Sequence, residues 1–162
     1  MDKKYLMTKT GYSKLVSELT HLIKVGRPQV IEAIKESRSY GGELSENSEY
    51  LEAKDQQDNL EKKISELQNK LDNAKVIDIE NLANDGVVRF GTIVKLFDLD
   101  KEEECCYQIV GEEESSVNQG KISYLSPIAS AMLNKRVGDV IYFRIPNGER
   151  ELEILEVTIP KK

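Results

Sequence analysis

Between Gly41 and Tyr50 the chain reads Gly-Gly-Glu-Leu-Ser-Glu-Asn-Ser-Glu-Tyr, which sets the carboxylates of Glu43 and Glu46 three residues apart. Carboxylates so spaced at a turn can share one Mg²⁺, a hard cation that takes oxygen ligands and keeps several waters. Two side chains cannot cage the ion. The other ligands would have to come from a partner and a substrate phosphate. The same residues also have a structural reading. Acids at a helix N-terminus are favoured by the macrodipole, by about 0.3–1 kcal/mol each, and Ser45 can serve as the N-cap. Residue types alone leave metal chemistry and helix capping both open.

The flanking segments show what would carry this tip. Thr8 or Thr10 can cap a helix starting near Gly11, and Tyr12, Leu15, Leu19 and Leu22 form a helical apolar stripe. Gly26 and Pro28 predict a kink or short break, after which Val30, Ile31, Ala33 and Ile34 continue the apolar face to Ser39. Beyond the tip, Tyr50, Ala53, Gln57, Leu60, Ile64, Leu67, Leu71 and Ala74 form a heptad seam, with Gln57 as a register device. A short connection makes antiparallel neighbours, so the seam predicts an intramolecular two-helix coiled coil. Its second arm, residues 46–75, would reach roughly 45 Å at about 1.5 Å per residue.

After Lys75 the pattern changes. Residues 81–86 read as a turn-rich joint, and short β-type runs follow at 87–90, 92–96, 105–110, 121–124, 140–145 and 151–157. Asn147-Gly148 is a hairpin signal, and residues 127–133 read as one short helix begun by Ser126. The fold class is α+β: an antiparallel coiled-coil hairpin over residues 1–77, then a small antiparallel-sheet domain with one helix over 78–162.

Composition narrows the function classes. The 162 residues are 32% charged and 39% apolar, with no Trp. That is a lean composition for a single large core, and a net charge of −6 argues against coating nucleic acid through overall charge. Residues 1–75 carry 13 basic and 13 acidic side chains, and residues 76–162 carry 10 and 16, so the excess acid is C-terminal. Cys105 and Cys106 are adjacent, which disfavours a mutual disulfide and offers no zinc pattern. The polar N-terminus and the lack of a membrane-length apolar run point to a reducing cytoplasm with no membrane partner.

Taken in order, these segments resemble the Gre family of bacterial transcript-cleavage and transcription elongation factors, GreA type. The family tip usually reads Gly-Asp-Leu-x-Glu-Asn-x-Glu-Tyr, and residues 42–50 read Gly-Glu-Leu-Ser-Glu-Asn-Ser-Glu-Tyr. The likeness spans nearly the whole chain: Met7-Thr8 with Gly11, Arg27-Pro28, Ala53-Lys54 with Gln56-Gln57, and Ala74 to Asp78. It continues through Phe90-Gly91, Ile109-Val110-Gly111, Ile122-Ser123, Ser126 to Ala129 and Val137-Gly138-Asp139.

The resemblance implies a monomer that binds bacterial RNA polymerase and inserts its coiled coil into the secondary channel. There the tip would help the polymerase's own centre hold a second Mg²⁺ and cleave backtracked RNA near its 3′ end, two-metal chemistry to which the factor adds no nuclease of its own. The C-terminal domain would be FKBP-like and dock at the channel mouth. By motif position Glu43 and Glu46 take the places of the tip acids that share Mg²⁺ with the polymerase, and Asn47 and Tyr50 support the tip. Arg38 and Lys54 stand where the family often carries arginines facing the RNA; ordinary solvated helix charge is the alternative. Ser126, Pro127 and Ile128 fall in the docking surface, or are simply a helix start. Two departures bear on activity: Glu43 replaces the usual Asp, and Gly41-Gly42 lengthens the spacing from Arg38 by one residue. Lys54 in place of Arg also removes bidentate phosphate recognition.

Three other readings remain. A homologue of the family could occupy the channel with little cleavage. A prolyl isomerase with a helical extension would need an aromatic-lined pocket, and a coiled-coil adaptor would dimerise through residues 50–74.

Overall fold

The computed structural model describes residues 4–39 and 47–160. They fall into two compact units, residues 12–74 and residues 4–11 with 75–160.

The first unit consists of two antiparallel helical arms. The leading arm begins with α1 (Lys9–His21), capped by Thr8, whose Oγ1 accepts the Gly11 amide at 3.1 Å; Thr10 lies inside the helix. The expected break at Gly26 is instead a continuous π-helical segment, Leu22–Gly26, in which the Arg27 amide bonds back to the Leu22 carbonyl. The spacing of the inward residues explains it. Leu22, Gly26, Val30 and Ile34 are buried or half-buried at three successive steps of four, and a wider π turn supplies the extra residue per turn. Pro28, which has no N–H to give, falls in the first turn of α2 (Arg27–Arg38). Ile31, expected on the apolar face, is exposed.

The return arm is α3 (Ser48–Asp72). Every seam residue from Tyr50 to Leu71 is buried or half-buried, while Ala74 lies beyond the helix in the next strand. The helix is shorter than the predicted 46–75, and its N-cap is Asn47. Ser45, the expected cap, lies outside the described residues. Cross-arm pairs place the early part of the leading arm, at Glu18, beside a later position of α3 than the Gly26–Arg27 segment meets. A Cβ on Gly26 would lie 3.2 Å from Leu60, Arg27 pairs bidentately with Glu61 at 2.7 and 2.8 Å, and Glu18 meets Lys63 at 3.2 Å. The seam of α3 is therefore covered within the chain, which removes the free surface that the adaptor reading requires.

The second unit contains two sheets. β1 (Tyr5–Thr8) pairs with β2 (Ala74–Ile77), neither of which was expected as a strand. The larger sheet has the order β5-β4-β3-β7-β6, from β3 (Ile93–Asp98), β4 (Glu103–Val110), β5 (Lys121–Ser123), β6 (Val140–Ile145) and β7 (Gly148–Thr158). Its pairings are antiparallel except β4 with β5, which is parallel. Lys95 pairs with Glu156 and Leu96 with Ile154, so Leu155 is a bulge in β7.

The short helix α4 (Pro127–Met132) is capped by Ser126, whose Oγ accepts the Ala129 amide at 3.3 Å. Its Ala129 and Met132 join Val88, Val94, Leu96, Ile109, Ile141 and Ile154 in the core. Phe90 and Tyr124 pack edge to face at 5.7 Å in and against that core. The run 87–90, expected as a strand, makes only a single bridge from Val87 to Arg136. The β6–β7 hairpin turns on Pro146-Asn147, one residue earlier than the Asn147-Gly148 signal suggested. Ile145 pairs with Gly148, whose φ of +134° is a conformation that glycine adopts freely. Cys106 is exposed, while Cys105 packs against the core, where burial pushes its thiol pKa up.

The start of α1 is fastened within this second unit. The Glu114 carboxylate accepts from the Thr8 hydroxyl and from the Thr8 amide. A Cβ on Gly11 would fall 2.6 Å from the Glu114 Cδ, so a side chain there would displace the Glu114 carboxylate.

Candidate functional site

The site begins where the two helical arms approach the tip. α2 ends at Arg38 and α3 begins at Ser48. Asn47 holds both ends. Its Oδ1 accepts the Tyr50 amide at 3.0 Å, and its Nδ2 donates to the Ser37 carbonyl at 2.8 Å. Ser37 is buried, and its hydroxyl donates back to the Ile34 carbonyl at 2.7 Å, an interaction internal to α2. Above this bridge the Arg38 guanidinium lies over the Tyr50 ring, 5.6 Å from its centroid. A contact of this kind contributes about 0.5–1 kcal/mol at an exposed site. Lys54, one turn further along α3, is half-buried and donates to Gln57 Oε1 at 3.0 Å.

Among the residues singled out from the sequence, the structure thus brings Arg38, Asn47 and Tyr50 together, with Lys54 beside them on α3. Arg38 and Lys54, assigned to RNA, each have an intramolecular partner. Glu43 and Glu46, assigned to Mg²⁺, lie outside the described residues. Among those described, no group of three or more His, Cys, Asp or Glu side chains could hold a metal ion. Sequence reasoning missed Ser37, because its contribution is a backbone carbonyl. The Asn47 cap had a signal: Asn is a favoured N-cap residue, and Glu49 places an acid in the first turn.

Below the neck, Glu36, Glu49 and Glu52 line a cleft of about 260 Å³ with Ala33, Ser37, Ala53 and Gln56. Further along, the Arg27–Glu61 pair lowers the Glu61 pKa and raises that of Arg27, chiefly through their hydrogen bonds.

In the second unit, Ser126 is half-buried as the α4 cap, Pro127 is exposed, and Ile128 leans on the core. Ser126 also borders a groove of about 270 Å³ with Ser115, Ser116, Val117, Lys121, Ile122 and Ser123. Val117 at 82% and Leu125 at 43% exposure give this side an apolar surface. Val117 carried no periodic signal, because it lies in a short 3₁₀ turn.

Comparison with known proteins places these features in a family. Residues 5–76 match the model described as "Transcription elongation factor, N-terminal", and residues 83–159 match "Transcription elongation factor, GreA/GreB, C-term". The transcription elongation factor GreA of Methylococcus capsulatus is 47% identical over 151 residues, covering 93% of this chain and 95% of that protein. That of Maricaulis maris is 48% identical over 152 residues, covering 94% and 96%. Among solved structures, GreA factor homolog 1 (Gfh1) of Thermus thermophilus is 26% identical, with a TM-score of 0.44 over 96% of this chain and 99% of that one.

Proposed function

The chain belongs to the GreA/GreB family of transcription elongation factors, and from that membership we propose that it enters the secondary channel of bacterial RNA polymerase with its helical hairpin. There it stimulates the polymerase's own cleavage of backtracked RNA near the 3′ end, so that elongation resumes. The observation that carries this reading is the sequence Gly42–Tyr50 on two antiparallel arms whose ends Asn47 ties together.

In this reading Glu43 and Glu46 complete a Mg²⁺ site shared with the polymerase, and the chain alone neither holds the ion nor cuts RNA. The ion would supply charge stabilisation at the attacking and leaving oxygens of the phosphoryl group. The chain's own residues position. Asn47 and Tyr50 hold the base of the tip, and Lys54 faces the RNA. Ser126, Pro127 and Ile128 dock the second unit at the channel mouth, with Val117 and Leu125 extending the apolar surface there. The protein works as a monomer in the cytoplasm, where the polymerase is. Among the described residues no helix is long and apolar enough to cross a membrane.

The test is RNA cleavage in stalled elongation complexes with the wild type and with Glu43→Ala/Glu46→Ala. The wild type should release the 3′ fragment and the double variant should not. Equal cleavage by both would remove the metal role.

A second reading is favoured by Glu43 and the doubled Gly41-Gly42: a homologue that occupies the channel and cleaves poorly. A displacement of about 1 Å can cost on the order of a hundredfold in rate. The same assay separates the two, because an occupying factor would bind the polymerase and leave the RNA intact.

A further inference from the structure

We infer that Arg38 is a positioning residue that acts through the Tyr50 ring, closing a four-residue circuit that fixes the two chain ends from which residues 40–46 depart. The circuit runs from Ser37 to Arg38 by the peptide bond, and from the Arg38 guanidinium to the Tyr50 ring at 5.6 Å. It continues from the Tyr50 amide to Asn47 Oδ1 at 3.0 Å, and from Asn47 Nδ2 back to the Ser37 carbonyl at 2.8 Å. Each link joins α2 to α3 or reinforces a residue that does. The Leu51 amide also bonds to the Asn47 carbonyl at 3.0 Å, so the first turn of α3 moves with the bridge.

A guanidinium stacked on a ring has its face committed. This assignment differs from a charge that serves the RNA directly, and the two make opposite forecasts. If Arg38 serves the RNA directly, Arg38→Gln lowers cleavage and Tyr50→Leu is indifferent. If it acts through the ring, Tyr50→Leu and Arg38→Gln cause the same loss. Tyr50→Phe, which keeps the ring, then keeps the neck closed, and the double variant is no worse than either single one.

The catalytic consequence rests on the proposed function; the closure of the neck does not. Two measurements on the full chain keep them apart. The first is amide hydrogen exchange at Tyr50 and Leu51 in the protein alone. Arg38→Gln and Tyr50→Leu should each speed it by about two- to fivefold without adding, and Tyr50→Phe should leave it unchanged. The second is stimulated cleavage, in which both variants should lower the maximal rate by about tenfold while the half-saturating factor concentration stays within about twofold. Unchanged exchange in Arg38→Gln, or additive effects in the double variant, overturns the inference. So does loss of cleavage in Arg38→Gln with Tyr50→Leu fully active. If the wild type stimulates no cleavage, the functional reading fails and the exchange experiment alone decides.

Discussion

Asn47 and Ser37 join the two helical arms at the neck: the Asn47 Nδ2 donates to the Ser37 carbonyl at 2.8 Å while its Oδ1 accepts the Tyr50 amide at 3.0 Å. One side chain therefore caps α3 and bridges to the end of α2. Asn47→Asp separates the two tasks, because aspartate keeps the capping acceptor and loses the bridging donor. It also places a negative charge at the helix N-terminus, worth about 0.3–1 kcal/mol, which offsets part of the lost hydrogen bond of about 0.5–1.5 kcal/mol. Asn47→Ala loses both and should destabilise the helical arms by about 1–2 kcal/mol. The expected order in urea unfolding, followed by helical circular dichroism, is wild type, then Asn47→Asp within about 1 kcal/mol, then Asn47→Ala. Equal losses in the two variants would show that the cap contributes nothing.

The neck also shows how far the sequence could be read. Ser45 and Asn47 are both legitimate N-caps two residues apart, and nothing local ranks them. The ranking came from Ser37, ten residues away, whose carbonyl gives the Asn47 amide its partner. The heptad seam from Tyr50 to Leu71 was legible because its period is local to one helix. The π-helical segment was not: Gly26 and Pro28 signal an interruption equally well as a break. Only the packing of Val30 and Ile34 against α3 shows that an extra residue is wound into the helix. In the second unit the long strands were legible. Val87–Phe90 failed because its inward residues, Val88 and Phe90, are buried without lying in a ladder. β1 failed because its partner β2 lies some seventy residues away.

Burial separates two apolar side chains of the second unit. Ile154 is fully buried in β7, an interior strand of the larger sheet, and Val117 is 82% exposed. Ile154→Ala should cost about 2–5 kcal/mol from lost transfer energy and the residual cavity. Val117→Ala should leave folding stability within about 0.5 kcal/mol of the wild type. Thermal unfolding of the two variants checks the contrast. A destabilised Val117→Ala would mean that this side chain packs against something in solution.

The Asp85 carboxyl accepts two bonds from the Arg89 guanidinium, at 2.6 and 2.8 Å, and these hold its pKa at about 2, below the ordinary 3.8. A depressed folded-state pKa stabilises the fold above the unfolded value. The pair's contribution is therefore complete above about pH 4 and fades as pH falls from 3.8 towards 2. Both groups are exposed, so the titration is the sensitive readout rather than the melting point. Carboxyl-carbon NMR should find the Asp85 midpoint near 2 in the wild type and moved up towards 3.8 in Arg89→Gln. A midpoint unmoved by the substitution would show that the pair does not form in solution.

Gly91 precedes β3 with φ of +92°, its amide donates to the Ile109 carbonyl at 2.7 Å, and a Cβ there would sit 2.3 Å from Ile79 Cγ2. Two separable costs follow for Gly91→Ala. The backbone term, about 1–2 kcal/mol, comes from a conformation that L-residues avoid. The steric term, about 1–3 kcal/mol, comes from forcing a methyl group into Ile79. Shortening Ile79 leaves the first untouched and relieves most of the second, because the Ile79 Cβ, 2.9 Å from the added methyl, remains. Gly91→Ala/Ile79→Ala should therefore be more stable than the sum of the two single losses predicts, by about 1–3 kcal/mol, yet less stable than Ile79→Ala alone by about 1–2 kcal/mol. Denaturant unfolding of the four proteins measures both terms. Strict additivity would mean that the Ile79 side chain yields without cost, leaving the backbone conformation as the sole reason for glycine at this position.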